Sequence, residues 1–108
     1  MAAIQNIVID QGSTFSLAFS LTNVDGSAKN LEGYTVTSQL RKSYHTNTYT
    51  SFTTTSVDAT GEITIALTAT QTSALKAGRY VYDVEITSST ETLRALEGIV
   101  SVTPEVTR

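Results

Sequence analysis

Ala77-Gly78-Arg79-Tyr80-Val81-Tyr82-Asp83-Val84-Glu85-Ile86-Thr87 is the stretch from which the architecture follows. Tyr80, Tyr82, Val84 and Ile86 fall on one face, and Val81, Asp83 and Glu85 on the other. That period of two belongs to a half-buried β-strand and not to a helix. Just before it, Thr70-Gln71-Thr72-Ser73-Ala74-Leu75-Lys76-Ala77-Gly78 breaks the rhythm. This segment has an N-cap candidate in Thr70 or Thr72, good helix formers and a terminating Gly78, and it predicts a short helical turn near 70–77.

The same period recurs in both directions from this strand. Phe15, Leu17, Phe19 and Leu21 alternate with Thr14, Ser16, Ala18 and Ser20, and Asp25-Gly26 then supplies a tight turn. Tyr34, Val36, Ser38 and Leu40 oppose Thr35, Thr37, Gln39 and Arg41. Ile7 and Ile9 close a short first run, and Ile63, Ile65 and Leu67 follow the turn Asp58-Ala59-Thr60-Gly61. Tyr49 to Thr55 reads as a weaker edge strand. Beyond a hairpin loop at Ser88-Ser89-Thr90-Glu91, the last strand runs from Thr92 to Val102. Its Gly98 marks a bulge or a close backbone approach. Pro104 ends the pairing, leaving residues 104–108 as a tail that either adds to a neighbouring sheet edge or frays.

About seven strands with turns at short, regular intervals define an all-β chain, a sandwich or a barrel. The order helical turn, strand, Tyr80 favours an immunoglobulin-like antiparallel β-sandwich. In that fold a tyrosine at this corner bonds its hydroxyl to upstream backbone, two residues before a disulfide position. Tyr80 is then the corner and Tyr82 stands where the cysteine usually is; the alternative is that both are plain core aromatics. The expected domain is a single sandwich over residues 1–103.

Composition narrows the function classes. The chain has 108 residues and no Cys, and a single His, His45, so disulfides, thiol catalysis and His-based metal sites have no material. Twenty Thr and twelve Ser, against 17 charged residues, predict a hydroxyl-rich outer surface. A net charge of −3 argues against nucleic acid or an anionic membrane as partner. The start, Met1-Ala2-Ala3-Ile4-Gln5-Asn6, shows no basic region leading into an apolar run, so assembly in a reducing cytoplasm is expected.

Catalysis requires an assembled nucleophile and base, or carboxylates pushed apart in pKa. Asp10, Asp25 and Asp58 sit in turns, while Asp83 and Glu85 share a strand face that Arg94 can meet across the hairpin. A cross-strand ion pair explains these last three. Calcium-loop and phosphate-loop spacings are missing. The reading is non-enzymatic, with no catalytic residue, metal or cofactor. Ser43 to Phe52 stands apart: Tyr44, His45, Asn47, Tyr49 and Phe52, among small hydroxyls, have the composition of an adaptable contact surface. It is either a protein-contact loop or a solvated loop with an edge strand.

Several motifs in order carry a resemblance. Asp10-Gln11-Gly12-Ser13-Thr14-Phe15 follows a short strand, and Asp25-Gly26 precedes Leu31-Glu32-Gly33-Tyr34. Gln39-Leu40-Arg41, Gly61-Glu62-Ile63, Tyr80-Val81-Tyr82-Asp83-Val84-Glu85 and Glu97-Gly98 follow, before Val102-Thr103-Pro104. The series resembles the immunoglobulin-like domains that begin phage baseplate upper proteins, and related tail-fibre-associated sandwich domains of tailed bacteriophages. Such a resemblance implies a structural protein of the virion, assembled in the host cytoplasm. Its partners would be other capsid or tail/baseplate proteins and, as a further option, copies of itself. In the baseplate family a longer arm follows the sandwich. Here the sequence stops after it, so the expected part is a capsid decoration or a tail, neck or baseplate adaptor. A carbohydrate- or receptor-binding module, resting on Tyr44, His45, Tyr49 and Phe52, is the competing expectation.

Overall fold

The structure is a computed structural model in which residues 3–23, 25–43 and 45–104 are described. Its strands are β1 (Ala3–Ile4), β2 (Ile7–Asp10), β3 (Phe15–Ser20), β4 (Thr35–Arg41) and β5 (Tyr49–Ser51), then β6 (Thr53–Val57), β7 (Glu62–Leu67), β8 (Gly78–Thr87) and β9 (Thr92–Thr103). One helix, α1 (Ala69–Ser73), lies between β7 and β8. The strands form two sheets. In the larger, β1 and β2 both pair with β9, which leads on through β8 and β4 to β5; the smaller has the order β3-β7-β6.

The alternation read from the sequence sorts side chains as expected. Ile63, Ile65 and Leu67 of β7 face Leu40, Tyr82, Val84 and Val100 of the larger sheet, and all are buried. Each such Ile, Leu or Val contributes about 1.5–3 kcal/mol by leaving water. Phe15, Leu17 and Phe19 are only partly buried. Their strand, β3, is an edge of the three-stranded sheet, with β7 on one side alone. Ser38 is polar on the inward face, but its hydroxyl donates to the Asp83 carbonyl at 2.7 Å, so its burial leaves nothing unpaired.

Three local features differ from expectation. First, β1 and β2 run parallel to β9, with Ile7 opposite Val100 and Ile9 opposite Val102, so the pairing is not antiparallel throughout. Secondly, the run from Tyr49 to Thr55 is two strands in two sheets. β5 pairs with β4 and β6 with β7, and the chain changes sheet at Phe52. Period-two alternation tells which face a residue occupies but not which sheet its strand joins. Thirdly, the helix starts earlier than predicted. Thr68, rather than Thr70 or Thr72, is the N-cap, and with Gln71 it completes a capping box. Thr72 is buried instead, where its hydroxyl donates to the Ser13 carbonyl (2.8 Å) and accepts the Gly12 N–H (3.1 Å). That pair of bonds fastens α1 to the β2–β3 turn.

At the opposite end of the sandwich, Gly61 (φ +69) closes the turn into β7. A Cβ there would stand 2.6 Å from the Leu21 carbonyl oxygen and 2.7 Å from that of Lys29. Both the left-handed backbone and the crowding call for glycine.

Candidate protein-contact surface

The corner before β8 fixes one end of the larger sheet. Tyr80 is buried, and its hydroxyl donates to the Lys76 carbonyl, four residues upstream, at 2.8 Å. This is the hydrogen bond of a tyrosine corner. The Lys42 ammonium lies 4.8 Å from the centre of the same ring. Tyr80→Phe is expected to cost about 1–2 kcal/mol, because the Lys76 carbonyl loses its partner in a partly buried place. Equilibrium urea unfolding checks it, and a negligible change would remove any structural role from the hydroxyl.

Tyr82, two residues on, does a different task. Its hydroxyl donates to the Gln5 carbonyl at 2.6 Å, and burial pushes its pKa up to about 12. Gln5 lies between β1 and β2, where its N–H bonds the Glu97 carbonyl. A regular parallel ladder would give the Gln5 carbonyl to the Ile99 N–H. Here the Asn6 side-chain oxygen takes that N–H (3.1 Å), and the freed carbonyl turns inward to Tyr82. Gly98, opposite both Gln5 and Tyr82, leaves the room for this turn. The close approach expected at Gly98 is present; the bulge in the β8–β9 ladder falls near Ala95, where the register shifts after Val84. Tyr82 and Gly98 thus hold the first strand in place, and with it the outer surface of that edge.

That surface is apolar. Ile4 (76% exposed), Val8 (65%) and Ile99 (37%) are among the exposed large hydrophobic residues. By register, Ile4 is opposite Glu97 and Val8 opposite Ser101, which places both diagonally beside Ile99. Val81, paired with Ile99, continues the strip across the outer face. β1 and β2 also form the outer edge of the sheet, each pairing on β9 alone. An exposed edge with apolar side chains beside it is the physical profile of a surface that another protein covers.

The predicted contact loop is divided by the fold. His45 and Asn47 are exposed in the β4–β5 connection, and Tyr44 lies outside the described residues. Tyr49 is half exposed on β5, with the Arg41 guanidinium 4.9 Å from its ring centre. Phe52 is a correction. At 5% exposure it is a core residue, packed between Phe15 (centroids 6.0 Å) and Tyr82 (6.2 Å), because the chain crosses between sheets there and its side chain fills the gap. Among the described residues, Tyr49 is the one exposed Tyr or Phe ring this stretch offers, so the sequence reasoning that grouped Phe52 with the contact residues overstated the patch. It also missed the strip on β1, β2 and β9. Ile4 and Val8 were legible as apolar residues, and the signal lay in their alternation with the inward Ile7 and Ile9.

The outer face also carries a shallow open depression of about 280 Å³ between Gln39, Arg41, Asp83, Glu85 and Arg94. Arg94 pairs with Asp83 at 3.5 Å, the cross-strand arrangement expected, and also with Glu97 of its own strand at 3.8 Å. Burial pushes the Asp83 carboxyl above its usual pKa, with Glu85 adding to the rise and Arg94 opposing it. A raised folded-state pKa favours the protonated form on folding. That contribution is whole below the ordinary Asp pKa and is lost as pH climbs through the raised one. Asp83→Asn is therefore expected to raise the urea midpoint slightly at pH 7 and to flatten its dependence across the acid range. An unchanged slope would contradict this. Among the described residues no group of three or more His, Asp or Glu could hold a metal ion, and no helix is long and apolar enough to cross a membrane.

The two sheets, the parallel first strand and the tyrosine corner define an immunoglobulin-like β-sandwich. No protein-family model matches the chain, and no curated protein does. Among solved structures, it is similar to that of Listeria monocytogenes InlP, at 18% identity, 94% coverage of this chain, 28% of that one and a TM-score of 0.52. A weaker overlap, TM-score 0.47 at 14% identity, is with the N-terminal four Ig domains of Dscam1 isoform 7.44, covering 95% of this chain and 23% of that one. The chain spans less than a third of either protein's length. At such identity the likeness describes the fold alone.

Proposed function

We propose that this chain is a non-enzymatic structural protein of a tailed bacteriophage virion, an accessory subunit that docks on a larger virion protein as a capsid decoration or a tail, neck or baseplate adaptor. The observation that carries the docking role is the apolar strip of Ile4, Val8 and Ile99 beside the open edge of β1 and β2. The virion context is supported by the order of motifs from Asp10-Gln11-Gly12 to Val102-Thr103-Pro104, which resembles the phage sandwich domains. A hydroxyl-rich coat elsewhere suits a part that touches its neighbour through one patch. In the reading, main-chain groups of the edge and the apolar strip together meet the partner.

The test uses particles that lack the protein. Purified wild-type chain added back is expected to sediment with them, and the Val8→Asp and Ile4→Asp variants to stay in the supernatant while keeping the wild-type melting temperature within a few degrees. Retention of both variants on the particles would refute the edge as the docking surface. Failure of the wild type to bind would refute the accessory-subunit reading itself.

A further inference from the structure

The charges of this sandwich are sorted along its long axis. Strand register puts α1, the start of β8 and the end of β4 at one tip, since Arg41 pairs with Val81 and the β2–β3 turn bonds to Thr72. At that tip stand Arg41, Lys42, Lys76 and Arg79, against one carboxylate among the described residues, Asp10, whose oxygen already accepts the Thr103 hydroxyl. None of the four cations has a carboxylate in ion-pair range among the described residues. Arg41, Lys42 and Lys76 line a depression together with Leu40, Tyr49, Leu75 and Tyr80.

The other tip carries the opposite sign. Ser20 pairs with Glu62, Leu31 N–H bonds the Asp58 carbonyl, and the β8–β9 hairpin turns there at Glu91. Asp25, Glu32, Asp58, Glu62 and Glu91 are all exposed at this end, with Lys29 the single cation there among the described residues. Two of the five are held in place. Hydrogen bonds from Ser27 keep the Asp25 carboxyl below its ordinary pKa, and Glu91 accepts the Tyr34 hydroxyl. The molecule measures 46 × 27 × 20 Å, and a strand the length of β9 accounts for most of the long dimension. Its two poles are therefore well separated, by several Debye lengths at ordinary salt.

From this we infer that copies of the chain associate head to tail, the cationic tip of one seated on the acidic tip of the next. The occupant of the cationic tip is thus a second copy, and charge complementarity selects it. A side-by-side antiparallel pair would also bring the poles together. It would, however, cover a flank whose Asp83 and Glu97 are already paired with Arg94, against a second copy of the same flank. Taking charges that already have partners out of water costs free energy with no new partner to offset it. A tip-to-tip contact avoids this and is heterologous, so it grows as an open chain and does not close at two. The contact uses neither Ile4, Val8 nor Ile99, so it stands apart from the docking edge and survives if that reading fails.

Analytical ultracentrifugation of the full chain tests it. At low salt (about 20 mM) the weight-average mass is expected to climb with concentration past about twice the monomer, and at about 300 mM salt to return to monomer. Lys76→Glu with Arg79→Glu turns the cationic tip acidic, and Glu32→Lys with Glu62→Lys cancels the net charge of the acidic one; all four side chains are exposed. Each double variant alone is expected to remain monomeric, and an equimolar mixture to associate again. The Val8→Asp variant is expected to associate as the wild type does. A wild type that stays monomeric at low salt, a mass that stops at the dimer, or a mixture that fails to associate overturns the inference. Circular dichroism melting of each double variant shows that it is folded before it is weighed.

Discussion

Phe52→Ala is expected to lower stability by about 3–5 kcal/mol, the largest loss at any single side chain considered. Phe52 is the one residue between β5 and β6, where the chain leaves one sheet for the other, and its own N–H bonds the Ser38 carbonyl at 2.9 Å. Its ring touches Phe15 of the smaller sheet and Tyr82 of the larger, so it is shared between the layers. Truncation removes the burial of a whole ring and leaves a cavity that two separate sheets must close on. Because the surrounding strands are held in register by their ladders, relaxation is limited and the cavity term persists. Urea unfolding gives the number. A loss below about 1 kcal/mol would mean that the ring is an exposed contact, as its sequence context suggested, and not core.

Gly98→Ala is expected to cost about 3 kcal/mol, at or above the top of the range for overpacking. The added Cβ would stand 2.3 Å from the Gln5 carbonyl oxygen and 2.8 Å from its carbon, and both are main-chain atoms with little freedom to withdraw. Relief requires that the Gln5 carbonyl abandon Tyr82 and that the chain between β1 and β2 lift from β9. The damage should therefore be local as well as large. Hydrogen exchange is expected to speed up at Gln5 and along β2, whose amides depend on β9, more than at β7 in the core. Equal loss of protection throughout would point to global destabilisation with no special role for the first strand. Tyr82→Phe should reproduce the local opening in milder form, since it removes the bond without adding bulk.

Much of this was readable in the residues. The alternation along Phe15 to Ser20, Thr35 to Arg41 and Tyr80 to Ile86 assigned inward and outward faces correctly, because one side of each sheet is buried and a one-residue slip would invert every side chain. The Gly78-Arg79-Tyr80 corner was legible because a short helical turn before a tyrosine-bearing strand has a mechanical reason to exist. What was hidden depends on long-range pairing. Nothing near Thr53 says that β6 joins a different sheet from β5, and nothing near Ile7 says that β2 will lie parallel to β9. Phe52 was misjudged for that reason: among Ser and Thr it reads as loop, and only the change of sheet turns it inward. The sorting of charge to the two tips is equally invisible along the chain, where Lys42 and Lys76 are far apart until β4 and β8 pair.

The same logic ties fold to proposed role. Tyr82, Gly98 and Asn6 act together to lay a short first strand against β9, and the strand they secure is the one that presents Ile4 and Val8 to solvent. A chain that only needed to fold would gain by polar residues at those positions. Keeping them apolar on a secured edge is what a docking part requires.

Mass spectrometry of gradient-purified, salt-washed particles from the host that produces the chain tests the central claim most directly. The protein is expected among the virion components, in fixed ratio to a larger capsid or tail protein, after washing. Its recovery from the soluble lysate alone, with none retained on the particles, would contradict the claim.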